Sequence, residues 1–284
     1  MGYDEATAEG VLRVNLLITG AEGFMGRNLR ETLRPRGYRL LLDDVDTPES
    51  ELRAMAREAD FVFHLAGVNR PKDEAEFQTG NADFTQTLLG LLEEGRKPSV
   101  LMSGSTQAAL DNPYGRSKLR AEEAVRRYAA RTGVPVYLYR LTNAFGKWSR
   151  PDYNSAVATF CHHIARGLPV TVTDPARVLR LNYIDDIVAE FLRALDGRAT
   201  AGEDGFCRVE PEHEVTLGRI VALLQGFRDG RETLTLPDQR DEFTRKLYAI
   251  YESFLPEDGF ACRPVTHADA RGSFTELLHM DGYG

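Results

Sequence analysis

Apolar runs and helical stretches alternate through the first half of the chain. RVNLLIT (13–19) is apolar and β-rich, and TGAEGFMG breaks it. Residues 26–34 follow as a helix stopped by Pro35 and Gly37, then YRLLL (38–42) as a second short strand ending at Asp43-Asp44. A charged helix over 49–59 leads to FVFHLA (61–66), the third strand, and to the loop GVNRPKDE. A long helix over 74–95, the strand SVLMSGS (99–105), a helix over 114–132 and the strand PVYLYRL (135–141) complete the series. The strands are near-continuous apolar runs, which predicts burial on both faces. The fold class is therefore α/β, a Rossmann-like doubly wound parallel sheet covered by helices.

The rhythm changes after about residue 150. Residues 154–167 read as a helix, PVTVTD as a short strand, and NYIDDIVAEFLRAL (182–195) as a loop running into a helix. Further helices are predicted over 216–228 and 238–255. The pattern divides the chain into a flexible tail (1–12), a Rossmann-like domain (about 13–150) and an interleaved, smaller C-terminal lobe (about 151–264). The last stretch, 265–284, holds one strand-like piece, GSFTELLH, and ends in Gly-Tyr-Gly; it is too short to be a domain.

Charge narrows the partners. With 35 Lys and Arg against 43 Asp and Glu, the net charge is -8, which disfavours nucleic acid and anionic lipid. No apolar run approaches the roughly 20 residues of a membrane span. The opening MGYDEATAEGVL has no apolar signal core, so a cytoplasmic protein is expected. Cys161, Cys207 and Cys262 lie far apart and fit a reducing compartment. His162 and His163 are adjacent on a helix and point apart, so they read as a helix face, and no metal site is expected.

The chemistry begins at the first strand-to-helix turn. Gly20, Gly23 and Gly26 form GxxGxxG there: a tight turn, a close approach of backbone to pyrophosphate, and close helix–strand packing. The helix start, Phe24, Met25 and Arg27 included, then faces the anion with free N–H groups. Asp43 or Asp44, closing the second strand, is placed to bind the ribose 2′-hydroxyl of NAD and repel a 2′-phosphate; Arg27 and Arg30 would favour NADP. A strand-ending turn is an equal reading of the two aspartates.

Tyr114 and Lys118 in DNPYGRSKLRAEEA share a helix face at i and i+4. A cation beside the phenol lowers its pKa, so that Tyr114 exchanges a proton with a substrate oxygen as hydride moves. Lys118 is also placed to bond the nicotinamide ribose. SGST (103–106) ends the fourth strand at the same mouth of the sheet; Ser105, with Thr106 in reserve, is expected to bond the substrate carbonyl oxygen.

Together these features resemble the extended short-chain dehydrogenase/reductase superfamily. HLAG (64–67, with Leu65, Ala66 and Gly67 at the cofactor), Asn81, RLTNAFG (140–146) and NYIDDIV (182–188) match its pattern. AGVNRP, GSTQAALDNPYGRSK, NAFGKWSRPDYNSAVATFCHHIARG, LNYIDDIVAE, VTLGRIVALL and ARGSFTELL are similar, almost end to end, to the capsular-polysaccharide-assembling UDP-sugar reductases. That resemblance implies NADP(H)-dependent reduction of the 4-keto group of a UDP-2-acetamido-2,6-dideoxy-hexos-4-ulose, on the way to UDP-N-acetyl-L-fucosamine, with NAD(H) as the other cofactor. Members of the family also carry a metal-bearing cupin epimerase domain. ARGSFTELL resembles its first strand, and the cupin histidines have no counterpart. The chain is then expected to lack the epimerase, as a piece of a longer enzyme or beside a separate cupin-type epimerase.

The resemblance also implies a homodimer through the helices over 74–95 and 114–132. For the UDP-sugar, Asn143 matches the position where related enzymes contact the nucleotide-sugar. Lys147, Trp148, Arg150, Tyr153 and Asn154 follow it, Arg177 and Arg180 precede NYIDD, and Asn69 and Arg70 lie after the third strand. The competing readings are a nucleotide-sugar epimerase or dehydratase of the same fold and a non-catalytic cofactor-binding subunit. SGSTQAA has no acid directly beside Thr106, which counts against a dehydratase.

Overall fold

The computed structural model describes residues 14–261 and 264–280. The expected tail, Cys262 and the terminal Gly-Tyr-Gly lie outside them. The chain forms two compact units. One takes in the described residues up to Arg140 together with Glu190–Arg208; the other takes Leu141–Ala189 and the described residues from Val209 on.

The first unit holds β1 (Asn15–Thr19), α1 (Phe24–Leu33), β2 (Arg39–Asp43), α2 (Glu49–Glu58) and β3 (Phe61–His64). A helical run follows as α3 (Ala75–Phe77), a π-turn (Gln78–Asp83) and α4 (Phe84–Glu94), then β4 (Ser99–Ser105), α5 (Pro113–Thr132) and β5 (Val136–Leu141). The strand order is β2-β1-β3-β4-β5, parallel across the β1–β2, β1–β3 and β3–β4 ladders. The order reverses at β1, so the glycine turn at its carboxyl end sits at the switch point where such sheets bind ligands. Every residue of β1 is buried, as a central strand covered on both faces must be. Leu17, Val62 and Val100 of the sheet pack with Leu88 and Leu92 of α4 and with Val125 of α5. Tyr128 of α5 is fully buried, and its hydroxyl donates to the Pro98 carbonyl at 2.8 Å.

The helix expected over 74–95 is interrupted. Residues 78–83 form a π-turn in which Gly80 lies so close to Val68 that a Cβ would come within 2.4 Å of its side chain. The wider turn carries Asn81 inward, where it is buried. Propensity along one segment does not register a partner 13 residues earlier.

The second unit departs further from expectation. It contains β6 (Asn143–Phe145), α6 (Ala156–Ala165), β7 (Val178–Tyr183), the start of α7 (Ile184–Leu195), β8 (Glu212–Thr216), α8 (Leu217–Thr233), β9 (Thr235–Leu236) and α9 (Glu242–Ser253). A small sheet runs β6-β7-β8, with β7 parallel to β6 and antiparallel to β8. NYIDD is therefore the end of a strand and the start of a helix. PVTVTD forms no strand: it lies between Gly167 in the left-handed region (φ 65°) and an exposed turn at Asp174, with no ladder partner. Phe145, Ile164, Leu181, Val215, Leu224 and Leu247 build this unit's core.

Beyond α9 come β10 (Thr266–Asp269), β11 (Gly272–Thr275) and β12 (His279–Met280). The strand-like piece GSFTELLH is a strand over Gly272–Thr275, paired antiparallel with β10 in an exposed hairpin, and its last residue, His279, opens β12. No helix of the described residues is long and apolar enough to cross a membrane.

Leu88 is fully buried in the first unit's core. Leu88→Ala is expected to lower the unfolding free energy by about 2–5 kcal/mol in a denaturant titration, through lost transfer energy and the cavity left behind.

Candidate active site

The glycine turn is built for close approach. Gly20 has φ 67°, and a Cβ on it would lie 2.8 Å from the Ala66 Cα. A Cβ on Gly26 would lie 2.1 Å from the Gly20 carbonyl oxygen, so α1 packs against the turn only with glycine there. Gly23 is the N-cap of α1 and provides no side-chain cap, and the first turn carries no acid. The N–H groups at Phe24 and Met25 thus present a partial positive charge at the end of β1, which suits a pyrophosphate.

Asp43 and Asp44 close β2 beside that turn, in different ways. The Asp44 carboxylate accepts from the Glu22 N–H at 2.7 Å and the Val45 N–H at 2.8 Å, tying the strand end to the glycine turn. The Asp43 side chain is buried, and burial, with the Asp44 charge behind it, raises its pKa to about 6. Arg27 is exposed on α1, while Arg30 pairs with Glu22 and Glu31.

The structure brings Tyr114, Lys118 and Ser105 together. Asn112 caps α5, accepting from the Gly115 N–H at 2.7 Å, and Pro113 starts the first turn, so Tyr114 stands at the helix entrance. Its hydroxyl donates to Asn69 Oδ1 at 3.0 Å. Burial pushes the phenol above its usual range, while a hydrogen bond from Ser105 pulls the other way. The Ser105 oxygen also accepts from the Gln107 N–H at 3.2 Å. Thr106 begins an exposed 3₁₀ turn beside it. Lys118 is buried, with its ammonium 5.8 Å from the Tyr114 ring centre. Burial brings its pKa down to about 8, against the opposing pull of Glu122. A Cβ on Gly67 would lie 2.6 Å from Lys118 Nζ and 3.0 Å from Asn81 Oδ1, so any larger residue there would push the ammonium aside.

Below this lies a chain of hydrogen bonds that sequence reasoning did not single out. Asn81 Nδ2 donates to the Val68 carbonyl at 3.1 Å and to Ser117 Oγ at 3.0 Å, and its Oδ1 accepts the Val68 N–H at 3.0 Å. Ser117 donates to the Tyr114 carbonyl at 2.8 Å. The Thr85 hydroxyl donates to the Asn81 carbonyl at 2.6 Å, so it must accept from His64 Nε2 at 2.8 Å. His64 Nδ1 is then the acceptor of the Thr19 hydroxyl at 2.8 Å, and Thr19 accepts the Ala66 N–H at 3.3 Å. Every proton in the series is assigned and His64 is neutral. Burial, then the Lys118 charge, holds its pKa down to about 3. The signal for this chain is one polar residue, His64, at the end of the otherwise apolar strand FVFH.

The residues expected to meet the sugar nucleotide are spread more widely. Asn69 is at the Tyr114 hydroxyl, and Arg70 is exposed next to it. In the second unit, Asn143 donates to the Arg180 carbonyl at 3.1 Å. Arg180 pairs with Glu212 at 2.5 Å and Glu214 at 3.4 Å, and Lys147 pairs with Asp185. Trp148 takes a left-handed backbone (φ 66°) with the Lys147 ammonium 5.9 Å from its ring, and Arg150 lies 5.2 Å from the Tyr153 ring. Asn154 and Arg177 are exposed. His163 bonds the Pro169 carbonyl and Asp152, and no metal-holding group of His, Cys, Asp or Glu exists among the described residues.

Residues 16–205 match the NAD dependent epimerase/dehydratase family. The chain belongs to that family. A UDP-2-acetamido-2,6-beta-L-arabino-hexul-4-ose reductase of Pseudomonas aeruginosa is 42% identical over 267 residues, covering 93% of this chain and 71% of the relative. The crystal structure of the capsular polysaccharide assembling protein CapF from Staphylococcus aureus superposes with a TM-score of 0.87 at 44% identity, over 94% of this chain and 73% of that one. A UDP-glucuronic acid 4-epimerase from Bacillus cereus, solved in complex with NAD, shares the fold at 18% identity and a TM-score of 0.65, over 76% of this chain and 84% of that one. Members of the family hold a nicotinamide dinucleotide, and the glycine turn, Gly67, Tyr114 and Lys118 fit that group here.

Two outcomes follow for this site. Gly67→Ala is expected to displace Lys118 and cut kcat by about 100-fold, with the thermal midpoint near that of the parent. For Asp43, whose folded pKa of about 6 exceeds the ordinary 3.8, the neutral form is favoured in the folded state. That contribution is full below the unfolded pKa and is lost as pH rises through about 6. Asp43→Asn should therefore be more stable than the parent at pH 7.5, and denaturant titrations should show the advantage vanishing near pH 4.

Proposed function

We propose that the protein is a nicotinamide-dependent reductase of the 4-keto group of a UDP-2-acetamido-2,6-dideoxy-hexos-4-ulose. The observation that carries this is Tyr114 set between Ser105 and a buried Lys118, in a chain 42% identical to a reductase of that class. A bound, reduced nicotinamide supplies hydride to carbon 4. Tyr114 gives its hydroxyl proton to the sugar oxygen, which takes the place that Asn69 Oδ1 holds at 3.0 Å. The Lys118 ammonium and the Ser105 hydroxyl stabilise the phenolate that remains. Burial favours the neutral phenol beforehand, the form a reductase needs at the start of its cycle. A dehydratase would need a further acid or base; Asp111, close to Thr106 in sequence, is exposed and paired with Arg116 at 2.7 Å.

The first unit, built on the five-stranded sheet, is the dinucleotide holder in this reading. Asn143, Lys147, Trp148, Arg150, Asn154, Arg177 and Arg180 of the second unit, with Asn69 and Arg70, serve the UDP-sugar. Resemblance favours NADPH, whereas the carboxylates closing β2 favour NADH. A cytoplasmic homodimer, with the hairpin β10–β11 as the beginning of a cupin-like domain, completes the proposal.

The test is nicotinamide fluorescence with NADPH or NADH before and after addition of a UDP-4-keto-6-deoxy-N-acetylhexosamine. Oxidation is expected only after the sugar is added, and the ratio of kcat/KM for the two cofactors ranks the carboxylates against the resemblance. Tyr114→Phe should lower kcat by about 100- to 10,000-fold, the usual share of a general acid. Parent-level turnover by that variant would overturn the mechanism; binding without oxidation in the parent would support a cofactor-holding subunit instead.

A further inference from the structure

We infer that Glu122, clamped by Arg140, is a positioning residue for the reaction: its buried carboxylate keeps the Lys118 ammonium charged while Tyr114 gives up its proton. The inference rests on the reductase reading above. Tyr114, Lys118 and Glu122 follow one another at i, i+4 and i+8, so all three lie along one face of α5. Lys118 and Glu122 are both buried. A buried lysine left to itself sheds its proton, since burial penalises the charged form. Glu122 opposes that loss.

The carboxylate is held in place from the other side. Arg140 of β5 donates from Nε to both Glu122 oxygens, at 3.1 and 3.2 Å, and from Nη2 at 2.7 Å. Its guanidinium lies over the Phe206 ring, 4.1 Å from the centre. Gly104 brings β4 against the same carboxylate; a Cβ there would sit 3.1 Å from Glu122 Oε1 and 2.7 Å from the Tyr139 carbonyl oxygen. Ser105, the next residue, thereby reaches Tyr114.

An ion pair buried only for stability has little net value, because desolvation offsets attraction. Here the cluster holds two cations and one carboxylate, a net charge of plus one below a phenol. When Tyr114 passes its proton to the sugar oxygen, the phenolate supplies the missing negative charge. Among the described residues, the titratable and charged groups around Lys118 are Tyr114 and Glu122 on α5, His64 on β3, which is neutral, and Arg140 on β5 behind Glu122.

The test compares the parent, Glu122→Gln and Arg140→Gln, each saturated with NADPH, by kcat against pH and by the NMR titration of the Lys118 ε-carbon. Lys118 must be cationic, so kcat should fall as pH rises through its pKa of about 8 in the parent. In Glu122→Gln the falling limb should move to lower pH by about one unit, so that its kcat relative to the parent drops about ten-fold between pH 6 and pH 9. In Arg140→Gln, which removes a cation behind the carboxylate, the limb should move to higher pH. If Glu122→Gln does not fold, the upward shift in Arg140→Gln carries the test. A loss of kcat of equal size at every pH, or a Lys118 titration unchanged by either substitution, would overturn the inference. If the parent oxidises no cofactor with the keto-sugar, the reductase reading fails, and the Lys118 titration still decides the role of Glu122.

Discussion

A lysine cation withdrawn from water is the constraint around which the sheet-bearing unit is arranged. Desolvation of an ammonium is costly, and the cost is tolerable only where every neighbour is either uncharged or negative. Gly67 gives the ammonium room, Asn81 offers an amide close by, and His64, which feels the Lys118 charge, stays neutral. Glu122 supplies the opposing charge and Arg140 keeps that charge in register.

The hydrogen-bond series from Thr19 to Ser117 gives that arrangement its rigidity. Thr19 is the last residue of β1, immediately before the glycine turn, and Ser117 bonds the Tyr114 carbonyl. The end of the strand that leads into the glycine turn and the helix that carries Tyr114 are thus joined through side chains with no freedom in proton placement. A buried polar network fully satisfied in this way specifies one arrangement of its elements.

Much of this was legible beforehand, and the misses share a cause. The parallel sheet announced itself through apolar runs, because strands covered on both faces have no polar alternation to obscure them. The glycine turn and the Tyr114–Lys118 pair were readable because their spacing is local. His64, Thr85 and Glu122 were not, since their partners lie on other elements. The same limit applies to the second unit. Lys147 and Arg180 read as UDP-sugar contacts by charge, and the sequence did not show the carboxylates that pair with them, Asp185, Glu212 and Glu214. Strands β6 to β8 are short and rich in polar residues, so no apolar run marks them.

The π-turn at Gln78–Asp83 has a consequence for how this chain tolerates length changes. A π-turn is an α-helix with one residue too many for its hydrogen-bond ladder, and successive residues of an α-helix are rotated by about 100°. Deleting one residue there would leave a regular helix of good propensity and no gap in the ladder. It would also swing the side chain at the Asn81 position a quarter turn or more from Val68 and Ser117. In this helix, local regularity and a working active site are alternatives, and the surplus residue is what separates them.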